Sequence, residues 1–407
     1  MKFTSFLFTI GLCGLLLFFA NCSEEPIQSD LSNINQSIDT LLITSSDITA
    51  FNYQVSPDIG GYNKLYIGNQ NGFNFTSSLL KFSTIGWSTF IDSTVTVDSL
   101  FLKVFSGDSS IPIDNNLKLY FSNDSIFDEK NSSLADLTDI DFSTWSNLGS
   151  PLVDVVIDTS DTVSQFQETS LTWNLNNISQ SLIDTTKLHR TFALSYGASE
   201  SFAELFSREY NSGSLDPKIE VYYRNVVDPS SDSTIIDTLT RIVYVSEDLS
   251  IIKNVYNAIN VDNSIFISRA RGYRSIFNIP FDSLSLPPYS VIRYANLSLY
   301  QKDDNTNDTL KSFSVRMDPL KVAIDTASQV FELDPYEYLG QHYSSATTAN
   351  GKLQIPLKSY FQSILMTDSI KNIGFKLYSN MSNDLFDSLS FDLDNINNRL
   401  EIFYVSP

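Results

Sequence analysis

Ile219-Glu220-Val221-Tyr222-Tyr223 and Leu400-Glu401-Ile402-Phe403-Tyr404 decide the fold. Each alternates apolar and polar residues, the period of two that keeps one face of a strand in a core. The two also match each other, and the matching extends outward in the same order along two copies about 200 residues apart. Phe192-Ala193-Leu194 answers to Phe375-Lys376-Leu377, and Leu171-Thr172-Trp173-Asn174-Leu175 to Leu353-Gln354-Ile355-Pro356-Leu357. Nearer the start, Leu102-Lys103-Val104-Phe105 answers to Leu297-Ser298-Leu299-Tyr300, Leu79-Leu80 to Ile276-Phe277, Lys64-Leu65-Tyr66-Ile67 to Ser264-Ile265-Phe266-Ile267, and Ile38-Asp39-Thr40-Leu41 to Ile236-Asp237-Thr238-Leu239. The pattern predicts an all-β chain of two tandem antiparallel β-sandwiches, residues 37–225 and 236–407, joined by a linker at 226–235.

One short helix interrupts each copy. Leu357, Tyr360, Phe361, Ile364 and Leu365 fall at helical spacing, and Ile178, Leu182 and Ile183 hold the equivalent place in the first copy. The first copy also has a longer polar insertion, roughly 123–166, which contains Trp145. Such a loop on a rigid scaffold is a place for binding residues or simply padding.

The 407 residues carry 26 Lys+Arg against 47 Asp+Glu, a net charge of −21, with 13% aromatic residues. That suits two domains with real cores. So negative a chain repels phosphate backbones, which argues against a nucleic-acid partner.

The start reads as an address. Lys2 precedes an apolar run from Phe6 to Ala20, which is shorter than a bilayer span and is followed at once by Ser23-Glu24-Glu25. Phe19-Ala20-Asn21-Cys22 resembles a bacterial lipobox, with Asn21 as its departure. Of two cysteines, Cys13 would leave with a cleaved signal, so Cys22 would be the sole thiol of the exported protein and its lipid acceptor. The expected organisation is a signal at 1–21, lipidation at Cys22, and a polar tether at 22–36 carrying the first sandwich. The alternative is an ordinary secretory signal with an incidental cysteine. Ser23 after the cysteine resembles outer-membrane sorting, so the expected location is the outer membrane, at the cell surface or in the periplasmic leaflet.

At the repeated segments the chain resembles the DNRLRE, or disaggregatase-related, domains, jelly-roll modules grouped with carbohydrate-binding modules. Leu171 to Ile183, Phe192-Ala193-Leu194-Ser195, Phe206-Ser207-Arg208-Glu209 and Asp216-Pro217-Lys218-Ile219-Glu220-Val221-Tyr222-Tyr223 fall in that family's order. The second copy lacks the Ser-x-Glu piece and the proline before its last strand. The resemblance implies a jelly-roll architecture more than an activity.

Catalytic chemistry finds little support. His189 and His342 sit in dissimilar settings, and pairs such as Glu204 with Glu209 arise by chance in so acidic a chain, so no enzyme is expected. A structural calcium ion could use Asp136, Asp139 and Asp141, or the loops at Asp303 to Asp308 and at Asp392 and Asp394; solvated turns are the plainer reading. For sugar, Trp87 and Trp173 look like core, while Trp145 is either an exposed stacking ring or satellite packing. Arg269, Arg271 and Arg274 cluster near Tyr273, a local positive spot that could meet an anionic glycan or merely counter nearby aspartates. Asp-Ser and Asp-Thr steps such as Asp98 and Asp387 fit either an O-glycosylation pattern or ordinary turns. The expected function is a non-enzymatic surface lipoprotein binding glycan or adhering to a polymer. The alternative is a structural or assembly lipoprotein with an outer-membrane protein as partner.

Overall fold

The computed structural model describes residues 37–406 except 58, 71, 93, 108–115, 126, 130–136, 138–139, 158–166, 197–200, 211–212, 227–235, 254–263, 303–310 and 323–329. The alternating segments form β1 (Ile38–Thr44), β2 (Thr49–Val55), β3 (Lys64–Gln70), β4 (Phe73–Lys81), β5 (Val95–Ser106), β6 (Leu117–Ser122), β7 (Ser146–Gly149), β8 (Leu152–Ile157), β9 (Gln167–Asn174), β10 (Thr191–Tyr196), β11 (Phe202–Phe206) and β12 (Lys218–Val226). The second run is β13 (Ile236–Tyr244), β14 (Glu247–Lys253), β15 (Ser264–Ser268), β16 (Tyr273–Asn278), β17 (Val291–Tyr300), β18 (Ser314–Pro319), β19 (Val330–Phe331), β20 (Ser344–Thr347), β21 (Lys352–Pro356), β22 (Phe375–Ser379), β23 (Ser388–Asp392) and β24 (Arg399–Val405). The sheets are antiparallel, apart from the two-residue β19, which runs parallel to β2.

Four sheets make the two sandwiches. In the first, β13-β12-β5-β9-β8 faces β11-β3-β4-β10-β6-β7, with β14 added along β4; in the second, β1-β24-β17-β21 faces β19-β2-β16-β22-β18-β20, with β15 and β23 alongside. The expected boundaries of 37–225 and 236–407 therefore mark the repeat but not the sandwiches. The first two strands of each copy are exchanged. β13 lies on β12 and β14 on β4, while β1 lies on β24 and β2 on β16. The stretch 227–235, expected to link two domains, instead joins two neighbouring strands of one sheet.

Loop closure explains the exchange. β1 and β13 carry the same pattern and either could flank β12, but β13 follows β12 after nine residues, whereas β1 is far away in sequence. Once β13 and β14 have taken those places, β1 and β2 close the second sandwich. Ile38 consequently stands opposite Val405, and a tether preceding β1 leaves from the second sandwich rather than the first.

Each sandwich has its own core. The first is built around Trp87, Leu102, Trp173, Phe192 and Val221, and the second around Ile267, Phe277, Leu299, Phe361 and Ile402. The helices occupy equivalent ends, α1 at Ser179–Ile183 and α2 at Lys358–Met366, and bury Leu182 and then Tyr360, Phe361 and Ile364. Fully buried Arg190 closes α1, donating to the carbonyls of Leu182 and Asp184 at 2.6 and 2.9 Å and lying 5.2 Å over the Trp87 ring.

A third apolar cluster joins the sandwiches. The outer face of the β4 sheet presents Tyr66, Phe73, Phe75, Leu79 and Leu249, and Phe386 of the second sandwich enters it, 5.3 Å from Tyr66 and 5.4 Å from Phe73. The Tyr62 hydroxyl donates to the Asn383 carbonyl beside it. Asn383 is in turn held by its own sandwich, bonding both the amide and the carbonyl of Ser314. The tandem is packed as one body.

Candidate functional site

The β15–β16 turn places the arginine cluster of the sequence at this junction. Its residues Arg269 to Gly272 close with the Gly272 amide donating to the Arg269 carbonyl at 2.9 Å. Gly272 has φ +67, and a Cβ there would stand 1.8 Å from the Val55 carbonyl oxygen, so only glycine lets the turn lie against β2. Arg269 reaches 5.1 Å from the Tyr62 ring and Arg271 4.8 Å from the Phe73 ring, both on the first sandwich. Tyr273 is buried and meets Phe266 edge-on at 5.2 Å.

Beside the turn the second sandwich opens a cleft of about 360 Å³, toward the small end of ligand sites. Arg269, Tyr273, Arg274, Arg316, Tyr378 and Asn380 contribute to its wall, and among the described residues no carboxylate does. Strand register makes it. Ser345, Arg316 and Tyr378 stand opposite one another across β20, β18 and β22, and Arg274 on β16 lies 5.4 Å from the Tyr378 ring. Ser268, 1% exposed, borders the cleft with a hydroxyl that has no hydrogen-bond partner among the described residues.

Two carboxylates, the buried Asp318 and the half-buried Asp334, hold Arg316, Arg274 and Lys376 in place. Asp318 accepts from Arg316 Nε at 2.8 Å and from the Tyr378 hydroxyl at 2.7 Å. Asp334 pairs with Arg274 and, at 2.9 Å, with Lys376 Nζ, and accepts from the Tyr53 hydroxyl. Burial works against the Asp334 charge, but Arg274 and Lys376 outweigh it and hold the carboxyl below its usual range. Burial and the Asp318 carboxylate push the Tyr378 hydroxyl well above its usual value, so it stays a donor at neutral pH. With Asp318 and Asp334 outside its wall, the cleft is lined by Arg274 and Arg316 together with the more deeply buried Arg269, a cationic lining suited to a carboxylate, sulfate or phosphate. At its rim Tyr343 is 57% exposed, with Arg316 4.6 Å from its ring.

The sequence-derived residues divide. Arg269 and Tyr273 line the cleft and Arg271 does not, while Arg269 and Arg271 both span the junction. Trp145 is not an exposed ring: it is 8% exposed and packs edge-on to Phe142 at 5.4 Å, within the third cluster. The β4 sheet is apolar on both faces, and the insertion has to cover the outer one. Asp141 is taken up by a turn, accepting from the Ser143 amide at 2.9 Å, while Asp136, Asp139 and the Asp303 loop lie outside the described residues. Asp392 likewise closes a turn onto the Asp394 amide. Glu204 pairs with Lys64 and Glu209 with Arg208, so each has a cation rather than a second carboxyl as its partner.

Arg316, Tyr378, Asn380 and Tyr343 were not anticipated, since each sits in an ordinary strand or turn and only the pairing of β16, β22 and β18 brings them together. Among the described residues no group of three metal-ligating side chains occurs, and no helix is long and apolar enough to cross a membrane. Comparison of the chain with protein-family models, curated proteins and solved structures finds no match.

Proposed function

We propose that this chain is a non-enzymatic lipoprotein of the outer membrane, anchored through Cys22, whose second sandwich binds an acidic glycan. The observation that carries the reading is the cleft: three arginines and two tyrosines, with no carboxylate among the described residues of the wall, in a protein of net charge −21. A carboxylate or sulfate on a sugar would meet the guanidinium groups, and Tyr343 offers a ring against a pyranose face. The resemblance to carbohydrate-binding jelly rolls points the same way.

Titration calorimetry with oligogalacturonates against neutral maltooligosaccharides tests it. The acidic series is expected to bind, more weakly as salt rises, and to lose about tenfold in affinity in Arg316→Gln and severalfold in Tyr343→Ala. Equal binding of both series, or none, would remove the reading. Anchoring is tested separately by labelling with a palmitate analogue, which should vanish in Cys22→Ala.

A further inference from the structure

We propose that the end of the second sandwich formed by the β17 approach and α2 rests on an anionic bilayer surface, inserting a fixed apolar rim between headgroups. The inference rests on the anchoring reading above and adds an orientation and a contact surface to it. A groove of about 790 Å³ runs between the Pro287–Arg293 segment and α2. Around it three large apolar side chains stand exposed together, Leu284 at 87%, Tyr289 at 90% and Met366 at 74%. Among the described residues Arg293 and Lys358 are its charged lining residues, and no carboxylate lines it. In a chain with nearly twice as many acids as bases, that local balance opposes the rest of the surface and complements anionic lipid.

The rim is held rather than loose. Tyr289 follows Pro287-Pro288 and has φ +64, a left-handed backbone that a bulky residue adopts only when its surroundings impose it. The surroundings are visible. The Ser290 hydroxyl donates to the Pro287 carbonyl at 2.6 Å, the Gln362 side chain on α2 donates to the Ser290 carbonyl at 3.4 Å, and the same side chain accepts from the Ile292 amide at 2.7 Å. Ser290 and Ile292 are thus clamped to the helix while Tyr289 beside them stands 90% exposed.

Position names the occupant. Val291 pairs with Val405, and Val405 pairs on its other side with Ile38, so β1 begins two strand spacings, about 10 Å, from the groove. Fifteen residues, 23–37, separate Cys22 from Ile38, a reach of at most about 55 Å. A lipid on Cys22 therefore confines this end, more than any other part of the molecule, to the neighbourhood of the membrane. Because of the strand exchange the anchor belongs to the same sandwich as the groove.

The test uses the chain from Ser23 onward, without lipid, since every described strand lies at or after residue 38. It is floated with vesicles of phosphatidylethanolamine and phosphatidylglycerol at 3:1 and, separately, with phosphatidylcholine alone. The wild type is expected to float with the anionic vesicles and about tenfold less with the neutral ones. Tyr289→Ser combined with Met366→Ser should lower flotation about tenfold while the urea midpoint stays within error, the side chains being exposed. Flotation unchanged by the double variant, or absent in the wild type, overturns the proposal. So does concentration-dependent dimerisation abolished by the same variant, which would assign the groove to a second copy. Loss of palmitate labelling without loss of flotation would remove the anchor and leave the surface.

Discussion

The outer faces of the two equivalent sheets, one on each sandwich, share apolar residues at two matching positions and part company at the next two. Across the first, Leu249, Leu79, Ala193 and Tyr120 stand in one row; across the second the row is Phe51, Ile276, Lys376 and Asp318. The apolar row cannot face water and is covered, by Trp145 and Phe142 from the insertion and by Phe386 from the partner sandwich. The second row divides: Phe51 and Ile276 are covered within their own sandwich by Tyr336, Lys376 and Asp318 are ion-paired with Asp334 and Arg316, and beside them Arg274, Arg316 and Tyr378 line the open cleft. One scaffold thus yields a face that joins and a face that can bind, and four or five side chains decide which.

The most severe way to break this comparison is to remove the strands that complete the second sheet. A chain beginning at residue 60 leaves β24 and β16 with open edges, and the second sandwich should lose its whole stability, on the order of 5 kcal/mol or more. Limited proteolysis should then cut throughout 264–405 while sparing 64–253; equal resistance of both regions would contradict the assignment. Next in size, Phe386→Ala empties the ring's place among Tyr66, Phe73, Phe75 and Phe202 and should cost about 3 kcal/mol in urea unfolding. A cost below about 1 kcal/mol would mean that the sealed face is not sealed by this ring.

Asp334→Asn sharpens the contrast from the other side. It leaves Arg274 and Lys376 without their shared carboxylate and should cost about 2 kcal/mol at neutral pH. Asp334 is held below its usual value in the folded state, so its contribution is present above pH about 4 and is lost as the pH falls through the lowered value. The two proteins should therefore converge in acid, and a constant difference down to pH 2 would argue against the pairing. The smallest effect belongs to Asp248 on the sealed side, whose carboxyl burial pushes up to about 8 despite the bond from the Arg208 amide. With the folded value raised, wild-type stability is fullest below pH about 4 and declines as the pH rises through about 8. Asp248→Asn should gain on wild type by about 3 °C at pH 9 and not at pH 4.

The strands and both helices were legible because periods of 2 and 3.6 are local properties. The exchange was not, since Ile38-Asp39-Thr40-Leu41 and Ile236-Asp237-Thr238-Leu239 satisfy the same places, and only the nine residues between β12 and β13 distinguish them. The burial of Trp145 did leave a signal. Leu79-Leu80, Phe192-Ala193-Leu194 and Ile251-Ile252 are unbroken apolar runs, the mark of strands buried on both faces, and such a sheet needs a cover. Of the cleft, Arg269 and Tyr273 could be read from their own turn, but Arg316 and Tyr378 depend on a register that no single strand encodes.

The closure of the second sandwich by β1 and β2 puts tether, cleft and groove on one body, and a disulfide tests it most directly. Thr40 stands opposite Phe403, whereas in an unexchanged chain β1 would take the place of β13 on β12, where its counterpart Thr238 stands opposite Arg224. With Cys22 replaced, Thr40→Cys paired with Phe403→Cys should oxidise to an intramolecular bond in the monomer, and Thr40→Cys paired with Arg224→Cys should stay reduced, because only directly opposed strand positions meet disulfide geometry. Bonding of the second pair and not the first would return β1 to the first sandwich and separate the anchor from the cleft.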